Sequence, residues 1–402
     1  AYEQAVARRP ADFAYRLVPD ENAPPRMVIN GNDAFCVGAT RGGCNFISAY
    51  PMTPSTSIFQ WMMGHAEEYG IVAKQVEDEI AAVCMAIGAN FVGARAMTAT
   101  SGGGFSLMAE ALGLAGIDEV PLVVVNAQRG GPSTGLPTRT EQSDLLFVLH
   151  ASQGEFPRLL LAPGTIEECF KCGWRAHNLA EKYQTPVIIL TDQLLASALR
   201  TIDAEAIDFD SVEIDRGKLL TPEDLDALDE PYRRFLFVDD GISPRALPGH
   251  PNAVHAIASD EHDELGHITE DMDNRTKMMQ KRMHKLEMAR ADIEPPARYG
   301  PEDAPIVLVG WGSVYGVLRE VVDRLQGEAR LVHFRDLWPF PSEAAADALG
   351  NGTLVVVESN YTGQFKRLLQ AETCIRVDHT LPRYDGRPFS PEDVLAGLKE
   401  VR

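Results

Sequence analysis

Positive charge is scarce in this sequence. Lysine and arginine total 37 of 402 residues against 58 aspartates and glutamates, a formal net charge of −21. That balance argues against a basic face tracking phosphates, so nucleic acid is not an expected partner. Long apolar runs are missing too: there is no stretch of about 18 apolar residues, so no membrane span is expected. The opening AYEQAVARRPADF lacks the basic-then-apolar build of a secretion signal, which points to a cytoplasmic chain. Residues 1–25, which end in NAPP, read as a linker from something upstream. Cysteine is sparse at six residues. Cys169 and Cys172 form a lone C-x-x-C inside the helical pattern TIEECFKCGWRAHNLAEKY, with no second pair to complete a tetrahedral site. An iron–sulfur cluster on this chain alone is therefore not expected. Internal repeats and low-complexity segments are absent as well.

What the sequence does have is alternation. From residue 26 to about 202, the apolar runs CNFISAY, IVAKQV, RAMTAT, PLVVVNA, RLLLAP and PVIILT read as strands. Between them, STSIFQWMMGHAEEYG, DEIAAVCMAIGANFVG, FSLMAEALGLAGI and TIEECFKCGWRAHNLAEKY read as helices. The pattern predicts an α/β domain with a doubly wound parallel sheet, whose ligands lie beyond the carboxyl ends of the strands. Four polar or glycine-rich loops follow four of those strands: Pro51-Met52-Thr53-Pro54, Glu77-Asp78-Glu79, Ser101-Gly102-Gly103-Gly104 and Arg129-Gly130-Gly131. Residues 203–299 form an acidic, loop-rich connecting insert ending in the charged helix NRTKMMQKRMHKLEMARADI, whose Met278, Arg282 and Lys285 suit a covering or bridging element. Alternation resumes in residues 300–402 with PIVLVG, SVYGVLREVVDRLQ, ARLVHF and TLVVVES, a second, smaller α/β domain.

Each loop carries a chemical reading and a plainer one. Glu79 opens a helix, where a carboxylate complements the dipole; desolvated at a subunit contact, the same carboxylate could hold a proton for a nitrogen heterocycle. Ser101, Gly102 and Gly103 either make a tight turn or offer free amides and close backbone approach to a cofactor. No lysine follows the glycines, so the stretch is not a nucleoside-triphosphate loop. Arg129 and Arg139 are either solvated loop residues or a grip for planar carboxylates at the ligand edge. Two other motifs invite over-reading. GWGSVYG at 310–316, with Asp336 beyond the next strand, has the spacing G-x-G-x-x-x-G, a weak dinucleotide fingerprint. His262 and His267 in HDELGH do not share the helical face that a metal-binding pair needs.

Taken together, YPMTPST at 50–56, VEDEIAA at 76–82, ARAMTATSGGGFSLMAEALGLAG at 94–116 and QRGGPSTGLPTRTEQSDL at 128–145 resemble the α subunit of the 2-oxoacid:ferredoxin oxidoreductases, and most of all its 2-oxoglutarate members. The resemblance continues through GISPRALPG, EHDELGH, KRMHKLE, GWGSVYG, FRDLWPFP and ESNYTGQF. It implies that residues 26–202 are a pyrimidine-binding domain of the thiamine-diphosphate enzymes and residues 300–402 a transketolase C-terminal-like domain, with a γ domain upstream in some members. By the same resemblance, Glu79 matches the glutamate that bonds the cofactor's aminopyrimidine, Thr53 the threonine at the reacting centre, and Arg129 the arginine on the substrate's 1-carboxylate. Arg139 is assigned to the distal carboxylate of 2-oxoglutarate. The implied reaction is oxidative decarboxylation of 2-oxoglutarate with coenzyme A to succinyl-CoA and carbon dioxide, with electrons passed to ferredoxin, possible also in reverse; pyruvate or another 2-oxoacid is the alternative substrate. The sequence has no G-D-G followed by a suitable asparagine, so Mg2+, the diphosphate and a [4Fe-4S] cluster fall to a β subunit in an (αβ)2 assembly. Ferredoxins are usually acidic, so β is also the expected docking surface. A nicotinamide-dependent dehydrogenase and a non-catalytic scaffold subunit are the competing readings.

Overall fold

The computed structural model describes residues 2–8, 15, 18 and 20–401. Much of the stretch read as a linker, residues 9–14, 16, 17 and 19, lies outside the described residues, and a short helix, Tyr2–Arg8, precedes it. Strand β1 (Arg26–Ile29) pairs antiparallel with β8 (Arg200–Asp203), closing the amino-terminal half on itself.

The main sheet contains β2 (Phe46–Ala49), β3 (Val72–Gln75), β4 (Ala96–Thr100), β5 (Leu122–Gln128), β6 (Leu159–Leu161) and β7 (Pro186–Asp192). All six are parallel, in the order β6-β7-β5-β4-β2-β3. β5 and β7 are buried along their whole length, as their unbroken β-branched runs require. A seventh strand, β12 (Asp336–Trp338), comes from far along the chain and adds antiparallel to β6. The sheet is therefore not wholly parallel: Asp336 is drawn in by a buried ion pair with Arg175, Nη2 to Oδ2 2.5 Å. After β2 the chain steps outward to β3 and then returns to β4 on the other side of β2. That reversal opens a crevice at the carboxyl ends of β2 and β4.

The smaller sheet, of β9 (Ala297–Tyr299), β10 (Ile306–Trp311), β11 (Ala329–Phe334), β13 (Thr353–Glu358) and β14 (His379–Pro382), runs β14-β13-β10-β11-β9 with only β9 antiparallel. One apolar cluster spans both sheets' layers: Phe105 and Leu112 from the helix Gly102–Ile117 and Val148 from the helix Leu145–Leu149 share it with Trp311 and Phe334 of the smaller sheet and Phe365 of the helix Gln364–Thr373.

Two helices depart from the expected pattern. STSIFQWMMGHAEEYG breaks at His65 into Thr56–Gly64 and Ala66–Tyr69. The helix Gly31–Arg41 has no counterpart in that pattern; Gly38 and Gly173 let it lie directly on the helix Ile166–Tyr183, and a Cβ at Gly38 would sit 1.9 Å from the Phe170 carbonyl oxygen.

The connecting insert packs against the amino edge of the main sheet, opposite the crevice. Lys281 and Lys285 from its helix Met272–Ala289 reach Glu119, just before β5, at 2.5 and 2.6 Å. Arg216 and Arg245 reach Glu181, just before β7. The acidic segment thus supplies cations to two carboxylates buried beneath it.

Candidate active site

The four expected loops meet around the β2/β4 crevice. Asp78 caps the helix Glu79–Phe91 by accepting from the Ala81 amide at 2.7 Å, so Glu79 is fixed in the first turn rather than left on a loop. Glu79 is only 3% exposed. Its Oε1 is buried without a hydrogen-bond partner. Burial lifts its pKa above the usual carboxylate range and the neighbouring Asp78 charge adds to this, against a backbone hydrogen bond that lowers it. An unpaired buried carboxyl oxygen costs stability with no structural return, which marks a site awaiting a donor.

The glycine triplet lies elsewhere than expected. Gly102, Gly103 and Gly104 do not form a turn before a helix; they are the first turn of the helix Gly102–Ile117, with Ser101 as its N-cap. Ser101 is fully buried, makes no capping bond, and its Oγ has no partner. Gly104 is the residue that makes room for the acid: a Cβ there would fall 2.1 Å from Thr100 Oγ1 and 2.5 Å from Glu79 Oε1. The Gly104→Ala variant is accordingly expected to lose about 1–3 kcal/mol of stability by overpacking. Thermal unfolding checks this, and an unchanged melting temperature would contradict the packing. Gly103, by contrast, is exposed, and a Cβ there would meet only Met52, at 3.9 Å.

Thr53 is exposed at the mouth, joined to Pro54 by a cis peptide bond. Arg129 Nη1 donates to the Thr53 carbonyl at 2.7 Å, so the loop after β5 is tied to the loop after β2. Arg129 is half-buried and Arg139 exposed. The two share one folded loop: Leu136 N donates to Gly130 O (2.7 Å), Arg139 N to Leu136 O (3.0 Å) and Gly130 N to Arg139 O (3.3 Å).

Sequence reasoning passed over the residues underneath. Asp144 accepts from Asn126 Nδ2 at 3.1 Å, and its own amide donates to Gln128 Oε1 at 3.0 Å. Position 102 has room for glycine alone above it, since a Cβ there would be 2.6 Å from Asp144 Oδ2. Burial raises the Asp144 pKa, eased by the Asn126 amide and the Arg129 charge. Asn126 was legible as a polar residue inside the apolar run PLVVVNA, whereas nothing in the pattern marked Asp144.

The other motifs have structural occupations. Asp336 is held by Arg175 and accepts the Glu294 amide, and the Gly312 turn lies against Gln142. His262 is buried against Phe235, ring centroids 3.9 Å apart, while His267 is exposed. Cys169 and Cys172 are buried thiols, pushed up in pKa by that burial. Among the described residues no group of three or more histidines, cysteines or acids could hold a metal, and no helix is long and apolar enough to cross a membrane.

Residues 37–281 match the family model described as pyruvate flavodoxin/ferredoxin oxidoreductase, thiamine diphosphate-binding. A 2-oxoacid:ferredoxin oxidoreductase α subunit of Sulfurisphaera tokodaii is 41% identical over 96% of this chain, which spans 63% of that protein's length. The 2-oxoglutarate synthase subunit KorA of Methanothermobacter thermautotrophicus is 34% identical over 91% of this chain and 96% of its own. The structure of a 2-oxoglutarate:ferredoxin oxidoreductase from Magnetococcus marinus with 2-oxoglutarate, coenzyme A and succinyl-CoA bound covers 99% of this chain and 69% of its own, with 35% identity and a TM-score of 0.90.

Proposed function

This chain belongs to the pyruvate flavodoxin/ferredoxin oxidoreductase family, and from that premise we propose that it is the α subunit of a 2-oxoacid:ferredoxin oxidoreductase whose substrate is 2-oxoglutarate. The reaction is oxidative decarboxylation with coenzyme A to succinyl-CoA and carbon dioxide, electrons leaving to ferredoxin. A β subunit completes the site, carrying Mg2+, the cofactor's diphosphate and a [4Fe-4S] cluster, and the pair doubles to (αβ)2.

The observation that carries the reading is the buried, unpartnered Oε1 of Glu79 beside Gly104. When bound, thiamine diphosphate supplies the nucleophilic carbon that a 2-oxoacid needs in order to lose carbon dioxide. The residues of this chain that fit the group are Glu79, Ser101, Gly102 and Gly103. Glu79 Oε1 holds a proton against a ring nitrogen, which a desolvated carboxyl does more strongly than a solvated one. Ser101 Oγ offers a second unpaired polar atom in the same crevice. The absence of side chains at Gly102 and Gly103 permits close approach to the backbone. Thr53, its backbone fixed by Arg129, would contact the substrate and the reacting carbon supplied by the bound cofactor.

Arg129 grips the 1-carboxylate and Arg139, on the same loop, the distal one. The names of the KorA relative and of the Magnetococcus structure support 2-oxoglutarate over a monoacid. Arg139 is exposed on this chain, so strong selection against pyruvate requires that the completed site remove its guanidinium from water, leaving it unpaired when pyruvate binds. Arg139→Met in the reconstituted αβ complex is expected to raise KM for 2-oxoglutarate by about 10–100-fold and that for pyruvate by less than about 3-fold. Equal shifts for both acids would remove Arg139 from this role.

A further inference from the structure

The loop that bears both arginines belongs to the first domain in sequence, and its second half is held by both domains: within the first, Thr140 Oγ1 donates to the buried Asp192 Oδ1 at 3.1 Å, and beyond it the chain is bonded to the second. Gln142, three residues beyond Arg139, is fully buried and bonded across the domain boundary through both its backbone and its side chain. Its amide donates to the Ser359 carbonyl (2.7 Å), its Nε2 donates to the Trp311 carbonyl (2.8 Å), its Oε1 accepts from the Ser359 amide (3.0 Å), and its carbonyl accepts from Asn360 Nδ2 (3.1 Å). Gln364, at the start of the helix Gln364–Thr373, continues the seam: its Nε2 donates to the Ser143 carbonyl at 2.6 Å and its Oε1 accepts from the Leu146 amide at 2.9 Å.

The grip is itself braced. Asn360 Nδ2 also donates to the buried Glu358 Oε2 at 2.6 Å, and Glu358 accepts the Phe365 amide at 2.9 Å. These residues form the turn from β13 into the next helix, so the orientation of the turn is fixed by the fold of the smaller sheet.

A second element of that domain touches Arg139 directly. Gly386, at φ +79°, lies under the stem of the side chain: a Cβ there would fall 2.9 Å from Arg139 Cβ and 2.9 Å from Leu136 Cδ1. A Cβ at 386 therefore forces a shift of Arg139, of Leu136 or of the 386 turn against them. The first half of the loop is anchored differently, through Arg129 on Thr53 within the main sheet's own edge.

From these contacts we infer that the carboxy-terminal domain tunes the specificity of the site by helping to pose Arg139, alongside the Thr140–Asp192 bond of the first domain, with Gln142, Gln364 and Gly386 as positioning residues, while Arg129 is posed by the first domain alone. The inference deepens the proposed function and rests on its assignment of Arg139 to the distal carboxylate. Its physical content is that loosening the seam degrades recognition of the second carboxylate and leaves recognition of the first intact, since displacements of about 1 Å in a bound group's partner cost as much as about 100-fold.

The test uses the assembled αβ complex with 2-oxoglutarate and pyruvate as alternative substrates. Gln364→Ala, a half-buried position that removes two seam bonds, and Gly386→Ala, which crowds the arginine stem, are compared with Arg139→Met. Both positioning variants are expected to raise KM for 2-oxoglutarate by about 5–20-fold with kcat within about 2-fold and pyruvate KM within about 2-fold. Gln364→Glu serves as the conservative variant: it keeps the acceptor for the Leu146 amide and is expected to recover part of the loss. If Arg139→Met shifts the substrate preference and neither positioning variant does, the inference falls and the proposed function stands. If Arg139→Met leaves the preference unchanged, the assignment of Arg139 fails, and the inference with it. A kcat loss equal for both acids in Gln364→Ala would mark the seam as a structural support only and would also overturn the inference. Gly386→Ala carries backbone strain at its positive φ; should it fail to assemble, Gln364→Ala alone decides between these outcomes.

Discussion

Glutamine at position 79 is expected to lower 2-oxoacid-dependent reduction of an electron acceptor by the assembled complex by about 10²–10⁴-fold, the range typical of a lost acid–base partner. The same change is expected to leave the isolated chain at least as stable as the parent. Both halves follow from one observation. Glu79 is buried, with Oε1 unpartnered, so its charge is disfavoured and its pKa lies above the ordinary carboxyl value of 4.5. The folded state then binds the proton more tightly than the unfolded state does. Stability is unaffected below the unfolded pKa, falls as pH rises from there through the folded pKa, and stays lower above it. Glutamine carries no charge to desolvate, so the gap between variant and parent should open with rising pH and be widest at neutral pH and above. Thermal unfolding at about pH 4 and pH 8, set beside turnover at about pH 8, gives the two readouts. A variant that is inactive because it is unfolded fails the second; one that retains full turnover fails the first and removes Glu79 from the chemistry.

Much of this candidate site's placement was legible because α/β folds deliver their strand-end loops to a predictable place. Thr53, Glu79, Ser101 and Arg129 each follow a strand whose apolar run is unmistakable, and parallel strands deliver their carboxyl ends to one edge. The six strands of the main parallel sheet were readable for the same reason. What escaped falls into two physical kinds. Elements whose stability comes from tertiary contact carry weak local signals: the helix Gly31–Arg41, GNDAFCVGATR, has three small or turn-prone residues at its start and lies against its neighbour through Gly38. Contacts distant in sequence carry none: nothing in FRDLWPFP announces that Asp336 will meet Arg175 and draw β12 into the first sheet. The triplet Gly102-Gly103-Gly104 illustrates a third difficulty. Three glycines disfavour a helix, yet a helix forms, because Asp144 lies against Gly102 and Glu79 against Gly104, where any larger residue would collide. Space for these carboxyl groups outweighs local propensity, and no window on the sequence contains both partners.

The largest effect on stability should come from the opposite edge of the sheet. Glu119 is fully buried at φ +52°, with Lys281 Nζ at 2.5 Å on Oε1, Lys285 Nζ at 2.6 Å on Oε2, and Arg234 Nη2 donating to its carbonyl oxygen at 2.6 Å. One anion thus faces three cations. Burial works against the charge on Glu119, but Lys281, Lys285 and Arg234 outweigh it and hold the carboxyl far below its usual range. The cations are less well served: burial pulls Lys285 down to about 7 despite the attraction of Glu119. Removing the one anion, as in Glu119→Gln, leaves the ammonium groups buried without a counter-charge, and the expected loss is about 3–5 kcal/mol in denaturant unfolding. The pH dependence separates this from simple loss of packing. In the variant both lysines have folded pKa values below their unfolded value, so between those limits the unfolded state binds more protons and stability rises with pH. Glu119 holds both folded lysine pKa values up in the parent, so the deficit of Glu119→Gln should shrink as pH rises from the acid side through the parent's folded values, about 7 for Lys285. Replacing Glu119, Lys281 and Lys285 together with methionine removes the buried charges as a set and should recover most of the loss, because an apolar core of similar volume does not desolvate ions. A deficit constant across that pH range, or a triple variant no better than the single one, would show that the three side chains act through shape and not through charge.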